Sequence, residues 1–196
     1  MRHLGTFLLG AALLTGCEKK SPPSKSPVAA QPPSDVEKKN SDAMRGLREM
    51  MLTSPATKLG IQRSDDFPRT YGVLMDWPIG NERISTVVGL CDGNASLYTT
   101  STFGVIGGIG HESVRKAAVS FVKAADKFYA ESTPTSDYPY PKSDRLKFYL
   151  VTFDGVRVID ADLNLVSSGK DKFSELFNQG QQLIGQLRTI VQNKPQ

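Results

Sequence analysis

Apolar side chains fall along the chain in three regimes. Leu4 to Leu14 is almost continuously apolar, and Glu18 to about Asn40 holds almost no large apolar side chain. From about Ser41 onward, apolar positions recur with regular periods. Within this third regime Met44, Leu47, Met50 and Met51 follow helical spacing, with Ser41 or Asp42 placed to cap the start. Tyr71 to Trp77, Ile84 to Cys91 and Ala95 to Thr100 read as strands. Asp92-Gly93 between the last two is a hairpin signal, because both central residues of a type I′ turn need positive φ. Val114, Ala117, Ala118, Phe121, Val122 and Ala125 form one face of a helix expected over Glu112 to Ala130, which Phe128 and Tyr129 extend. Strands return at Leu146 to Phe153 and Val156 to Asp160, joined by Asp154-Gly155. A last helix runs from Asp171 to about Gln192, with Leu176, Phe177, Leu183, Ile184 and Leu187 on its stripe beside Phe173, Ile190 and Val191.

The resulting order is helix, three strands, helix, two strands, helix. Two hairpins imply a largely antiparallel sheet, and the strands ISTVVGLC and LKFYLVTF are apolar almost throughout rather than alternating. Continuous patterns mean that both sheet faces are covered. The expectation is an α+β fold, a five-stranded largely antiparallel sheet with helices on both faces (α-βββ-α-ββ-α). This arrangement over residues 41–193 resembles the profilin, roadblock and longin group of small α/β/α domains. The resemblance is architectural and rests on no motif. Strand order also departs from it, since roadblock domains usually place two strands before the middle helix and three after.

The first two regimes carry a targeting signature. Met1-Arg2-His3 supplies a basic start, and the apolar stretch that follows is too short to span a hydrocarbon core of ~30 Å as a helix. Its length and flank suit a signal-peptide core. It ends in Leu14-Thr15-Gly16-Cys17, which resembles the lipobox of bacterial lipoproteins. That resemblance implies cleavage before Cys17, acylation of its thiol and further acylation of the new amino terminus. More than one acyl chain gives stable anchoring where one gives only reversible binding. Pro22, Pro23, Pro27, Pro32 and Pro33 then lie among Ser, Lys and Gln. Such a segment cannot bury enough surface to offset its ordering entropy. The chain therefore divides into a lipoprotein signal peptide (1–16), a lipidated Cys17 with a flexible Pro/Ser/Lys-rich linker (17–40) and a single globular domain (41–196). Glu18, rather than an aspartate, follows the cysteine. It does not resemble the inner-membrane retention signal of enteric bacteria and points to the outer membrane.

Charge sharpens this division. The chain has 24 Lys and Arg against 20 Asp and Glu. Arg2 lies in the signal, and Lys19, Lys20, Lys25, Lys38 and Lys39 lie in the linker, against only Glu18, Asp35 and Glu37 there. The domain is left near neutrality, without the basic footprint that nucleic-acid binding needs. The basic linker suits acidic headgroups, an attraction of about 1 kcal/mol per charge near a surface. With Cys17 acylated, Cys91 has no intramolecular disulfide partner and reads as a small buried hydrophobe. Two cysteines and two histidines offer no zinc spacing.

No catalytic motif emerges from the domain. Gly104 to His111 (GVIGGIGH) enters the middle helix as a glycine-rich loop, and a helix amino terminus can present N–H groups to an anion. The run lacks the GK[ST] of a P-loop and the last glycine of a dinucleotide fingerprint, so no nucleotide or other cofactor is implied. Gly107, Gly108, Gly110 and His111 stand as one possible partner-contact loop. Tyr138 and Tyr140, in the stiff run Tyr138-Pro139-Tyr140-Pro141, form another, although tyrosines folded inward would simply pin a long crossover. Trp77 reads as a core residue. His111 is the only histidine after the signal and has Ser113 nearby, but no GxSxG elbow accompanies them. Asp160-Ala161-Asp162 with Asn164 lacks the downstream Gly and Glu of a calcium loop.

Three functions fit these features. The first is a membrane-anchored envelope lipoprotein, facing the periplasm or exterior, whose domain is a non-catalytic protein-binding or assembly module. Its partners would be the membrane, through the lipid anchor, and an unidentified protein. The second is an immunity or inhibitor lipoprotein that neutralises an envelope-acting toxin, for which a neighbouring toxin gene would be diagnostic. The third is an envelope hydrolase using His111, which His111→Ala would disable.

Overall fold

The computed structural model describes residues 35–80, 83–100 and 104–192. The lipobox-like segment with Cys17 and most of the expected linker lie outside these residues. Helix α1 covers Asp35–Thr53, so it starts inside the segment expected as linker. Beyond Pro33 the sequence holds no proline or glycine before Gly46, and nothing there interrupts a helix. Of the stripe expected on α1, Met51 is buried and Met44 and Leu47 are half-buried, whereas Met50 is exposed and Leu52 takes its place in the core.

Seven strands, rather than five, form one sheet: β1 (Thr70–Pro78), β2 (Ile84–Leu90), β3 (Ala95–Thr99), β4 (Gly104–Ile106), β5 (Thr133–Thr135), β6 (Arg145–Thr152) and β7 (Gly155–Asp162). Their order is β4-β3-β2-β1-β6-β7-β5, with every neighbouring pair antiparallel. The five expected strands form the centre, and β4 and β5 are three-residue additions at the two edges. Both edge strands are too short for an alternating pattern to show. β4 lies in the glycine-rich run, and β5 contains Pro134, which an edge strand tolerates because one side of its ladder is unpaired.

Alternation sorts the central strands between two cores. Val73, Met75, Val87, Leu97, Phe148 and Leu150 face α2 (Glu112–Lys127) and α4 (Ser174–Gln192), meeting Val114, Phe121, Leu176 and Leu183. Leu74, Val88, Tyr98, Tyr149 and Val151 face the other way, against Met51 and Leu52 of α1 and Ala56 of a short 3₁₀ turn. Helices thus cover both faces. Tyr71 breaks the alternation, because the β1–β6 ladder passes from Thr70 to Gly72 without it. This bulge sends its side chain to the α1 side, where its hydroxyl donates to the Ser54 carbonyl at 2.9 Å. Trp77 is 9 % exposed and belongs to the core under α2 and α4.

Both hairpins form, with turns different from those expected. The Gly93 N–H donates to the Leu90 carbonyl, and the Leu90 N–H to the Asn94 carbonyl. Gly93 has φ +88°. This is the pattern of a three-residue loop closed by a glycine bulge, not of a two-residue type I′ turn. Between β6 and β7, Thr152 pairs with Gly155, so Phe153 and Asp154 form the tip. Cys91 is accordingly a turn residue, half-buried, and not the strand residue expected. Asp162 does not hold a calcium-like loop open. Its Oδ1 accepts the N–H groups of Asn164 and Leu165 and caps a short helix, α3 (Leu163–Ser167), while Asp160 pairs with Arg145 at 2.7 Å. Among the described residues, no helix is long and apolar enough to cross a membrane.

Candidate binding groove

The α1 face of the sheet is organised around a buried ion pair. Asp76, in the middle of β1, has no exposed surface, and Arg48 of α1 is 6 % exposed. The Arg48 Nε and one terminal nitrogen donate to Asp76 Oδ2 at 2.9 and 2.6 Å. The Thr86 hydroxyl, one strand over, donates to Oδ1. The guanidinium also lies over two rings, 4.3 Å from the centroid of Tyr140 and 5.3 Å from that of Tyr149. Burial pushes the Asp76 carboxyl above its ordinary range, while Arg48, Thr86 and Lys147 pull it down. Desolvation works against the Arg48 charge, yet the charge and hydrogen bonds of Asp76 outweigh it and Arg48 is held above its ordinary value. Both values are raised, which favours the neutral acid at Asp76 but the charged form at Arg48. The ion pair is the coherent state, because a neutral Asp76 would strand a buried guanidinium without a counter-charge.

The loop ahead of β6 is folded onto this pair. Tyr149 donates its hydroxyl to the Pro139 carbonyl at 2.6 Å, and Tyr138 packs edge-on against the Tyr149 ring with centroids 5.9 Å apart. Tyr138 and Tyr140 are both half-buried, which makes them pins of the long crossover first. Burial raises the pKa of Tyr140, with Arg48 opposing it, and raises that of Tyr149, so both stay as phenols.

Two adjoining depressions flank this loop. One, of ≈ 600 Å³, is lined by Arg45 from α1, Pro78 and Arg83 from the β1–β2 hairpin, and Tyr140 and Pro141 from the loop. Thr100 also lines it, but its hydroxyl is committed to the Ile84 N–H at 2.9 Å. The second, of ≈ 530 Å³, shares Arg45 and Tyr140 and continues past Glu49 and Thr53 on one side and Ser136 to Pro139 on the other. Together they make a groove between α1 and the loop, cationic at the Arg83 end and acidic at the Glu49 and Asp137 end. No carboxylate of the described residues pairs with Arg45 or Arg83. The described lining of the larger depression offers guanidinium groups, hydroxyls and an aromatic face, with no thiol, imidazole or carboxylate.

The other residues expected at a site lie elsewhere. Gly108 belongs to the 3₁₀ turn between β4 and α2, where an added Cβ would meet Val114 Cγ1 at 2.6 Å and Leu187 at 3.0 Å. This places the glycine loop on the α2–α4 side of the sheet, opposite the tyrosines. Gly107 has φ +78°, so one glycine serves backbone angle and its neighbour serves close packing. A Cβ added at Gly110 would meet nothing within 4 Å. His111 is exposed at the N-cap position of α2 and makes no side-chain cap bond, and no side chain among the described residues orients it. Ser113 is likewise exposed. Ile106 and Ile109 are exposed beside this loop.

Arg45, Arg48 and Arg83 escape the sequence reading, although one signal for them exists. Arg48 falls on the apolar stripe of α1 between Met44 and Met51, and Asp76 interrupts an apolar strand. A charge inside an apolar stripe needs a buried partner, and these two supply each other. Arg45 is then one turn away on the same helix. Arg83 carries no such signal. Compared with models of known protein families, with curated proteins and with solved structures, the chain finds no match in any of the three.

Proposed function

We propose that this chain is an envelope lipoprotein, anchored to a membrane through acylated Cys17, whose globular domain is a non-catalytic protein-binding module facing the periplasm or exterior. The observation that carries the anchor is Leu14-Thr15-Gly16-Cys17 after a short basic start and an apolar core. The observation that supports binding rather than chemistry is the groove on the α1 face, whose larger depression brings cationic and aromatic groups together with no thiol, imidazole or carboxylate in its described lining. His111 is on the far side of the sheet from it. The Pro/Ser/Lys-rich composition after Cys17 suits a spacer between anchor and domain.

Two measurements test the reading together. Metabolic labelling with an alkyne palmitate should mark the wild-type chain and not Cys17→Ser, and label persisting in Cys17→Ser would sink the anchor. Cross-linking in intact cells, followed by solubilisation of the envelope, should trap the domain with a protein in fixed stoichiometry. Repeated recovery of the domain alone would remove the binding role.

A further inference from the structure

We infer that the groove between α1 and the Ser136–Ser143 loop takes an extended peptide segment of a protein partner, carboxylates at the Arg45 and Arg83 end and a neutral or basic residue at the Glu49 and Asp137 end. The inference rests on the binding-module reading above and supplies the chemistry of its partner. Charge complementarity sets the direction. Arg48, Arg63, Arg69 and Arg145 each hold a carboxylate of this chain, whereas Arg45 and Arg83 have none among the described residues and line the larger depression together. Exposed guanidinium groups pair bidentately with carboxylates, and two on separate elements favour a ligand carrying more than one.

Shape selects the class of ligand. A free small anion would fill one end only, but Arg45 and Tyr140 are shared by both depressions, and the groove runs on toward Thr53 and Ser136. A concave run of this kind accepts a strand-like chain; a lipid surface calls for a convex one. The aromatic element is also set in place before binding. The Tyr140 ring is held under the Arg48 guanidinium, and Pro139 is tied to the Tyr149 hydroxyl. Pro78 and Pro141 add stiff apolar contacts. Little side-chain freedom remains to be lost when a peptide settles against such a wall.

The test uses the full chain in detergent. A random octapeptide phage library is panned against wild type, against the Arg45→Glu/Arg83→Glu double variant and against Lys170→Glu, an exposed control away from the groove. Wild type and Lys170→Glu should enrich peptides with acidic residues clustered at one end. The double variant should bind those peptides at least tenfold more weakly while keeping the wild-type circular dichroism spectrum and melting temperature. Inorganic phosphate is titrated alongside by fluorescence of Trp77 and the tyrosines. No enrichment, enrichment without acidic clustering, or equal binding by the double variant would each overturn the inference, as would saturable phosphate binding without peptide binding. In cells, a cross-link that persists in the double variant would place the partner elsewhere on the domain. That result would overturn the groove and leave the tethered module standing.

Discussion

Asp76 is the residue on which the α1 face turns. Its carboxylate has no exposure, accepts three side-chain hydrogen bonds and ties β1 to Arg48 of α1. Removing one partner of such a pair leaves an uncompensated buried charge, which costs about 3–5 kcal/mol, whereas replacing both with apolar groups of similar volume is often neutral. Asp76→Asn is therefore expected to lower stability by several kcal/mol in urea titration, and Asp76→Leu combined with Arg48→Met to recover most of the loss. Equal destabilisation by the single and double changes would show that the pair is not the source. Cys91 gives a second expectation at this scale. Burial, helped by the neighbouring charge of Asp92, pushes its thiol from 9.0 to about 11. Near pH 8 the thiolate fraction is then ~100-fold below that of an unperturbed thiol, and alkylation should be slower by a similar factor than in the urea-unfolded chain. The sign for stability follows. The raised value favours the neutral thiol in the fold, so this contribution is present below the unfolded thiol's pKa and is lost as pH climbs toward about 11. A folded-state alkylation rate matching the unfolded one at pH 8 would contradict the shift.

At the scale of elements, the sequence was most informative where one period persists long enough to be counted. α2, α4 and the five central strands lie close to where their apolar patterns place them, because each buries a full face or both faces. The misses share a physical origin. β4 and β5 span three residues each and owe their existence to the neighbouring strands β3 and β7, a tertiary effect with no local signature. The Asp92-Gly93 signal identifies the hairpin but not its loop length, since a glycine at positive φ serves both turn types. α3 spans five residues, too few for a helical period to show, and only its Asp162 cap marks it. Asp162→Ala should therefore behave as the loss of an N-cap, lowering stability by ~1 kcal/mol in thermal melts at neutral pH, with calcium having no effect on either chain. A calcium-dependent rise in melting temperature that Asp162→Ala abolishes would show that Asp162 serves a metal rather than a cap. The groove was the least legible feature, because its residues come from α1, the β1–β2 hairpin and a loop far along the chain. No spacing in the sequence brings Arg45, Arg83 and Tyr140 together; the β1–β6 pairing does.

For the domain as a whole, one sheet separates two cores, and Cys91 in the β2–β3 turn packs against both. Val73 and Leu74 are adjacent in β1, both fully buried, and serve opposite clusters. Neither helical layer has a second surface on which to fold, so each depends on the sheet, and the sheet depends on both to cover its central strands. This geometry argues for one cooperative transition. Leu74→Ala on the α1 side and Phe121→Ala on α2 should each cost about 2–5 kcal/mol, as large-to-small changes in close-packed cores do. If the cores are coupled through the strands, either change lowers the temperature of the same single calorimetric peak, and near- and far-ultraviolet circular dichroism lose their signals together. The consequence for function is that the groove is not an independently movable part. Its Arg45 wall rides on α1, which Arg48 fixes to the central strand, and Tyr140 is clamped by the same guanidinium. Phe121→Ala, on the opposite face, should then leave the groove's chemistry unchanged at low temperature and lose it only at the shifted melting point. A separate low-temperature transition confined to α1 and the loop 138–141 would show instead that the α1 layer opens alone, and that the groove wall is hinged.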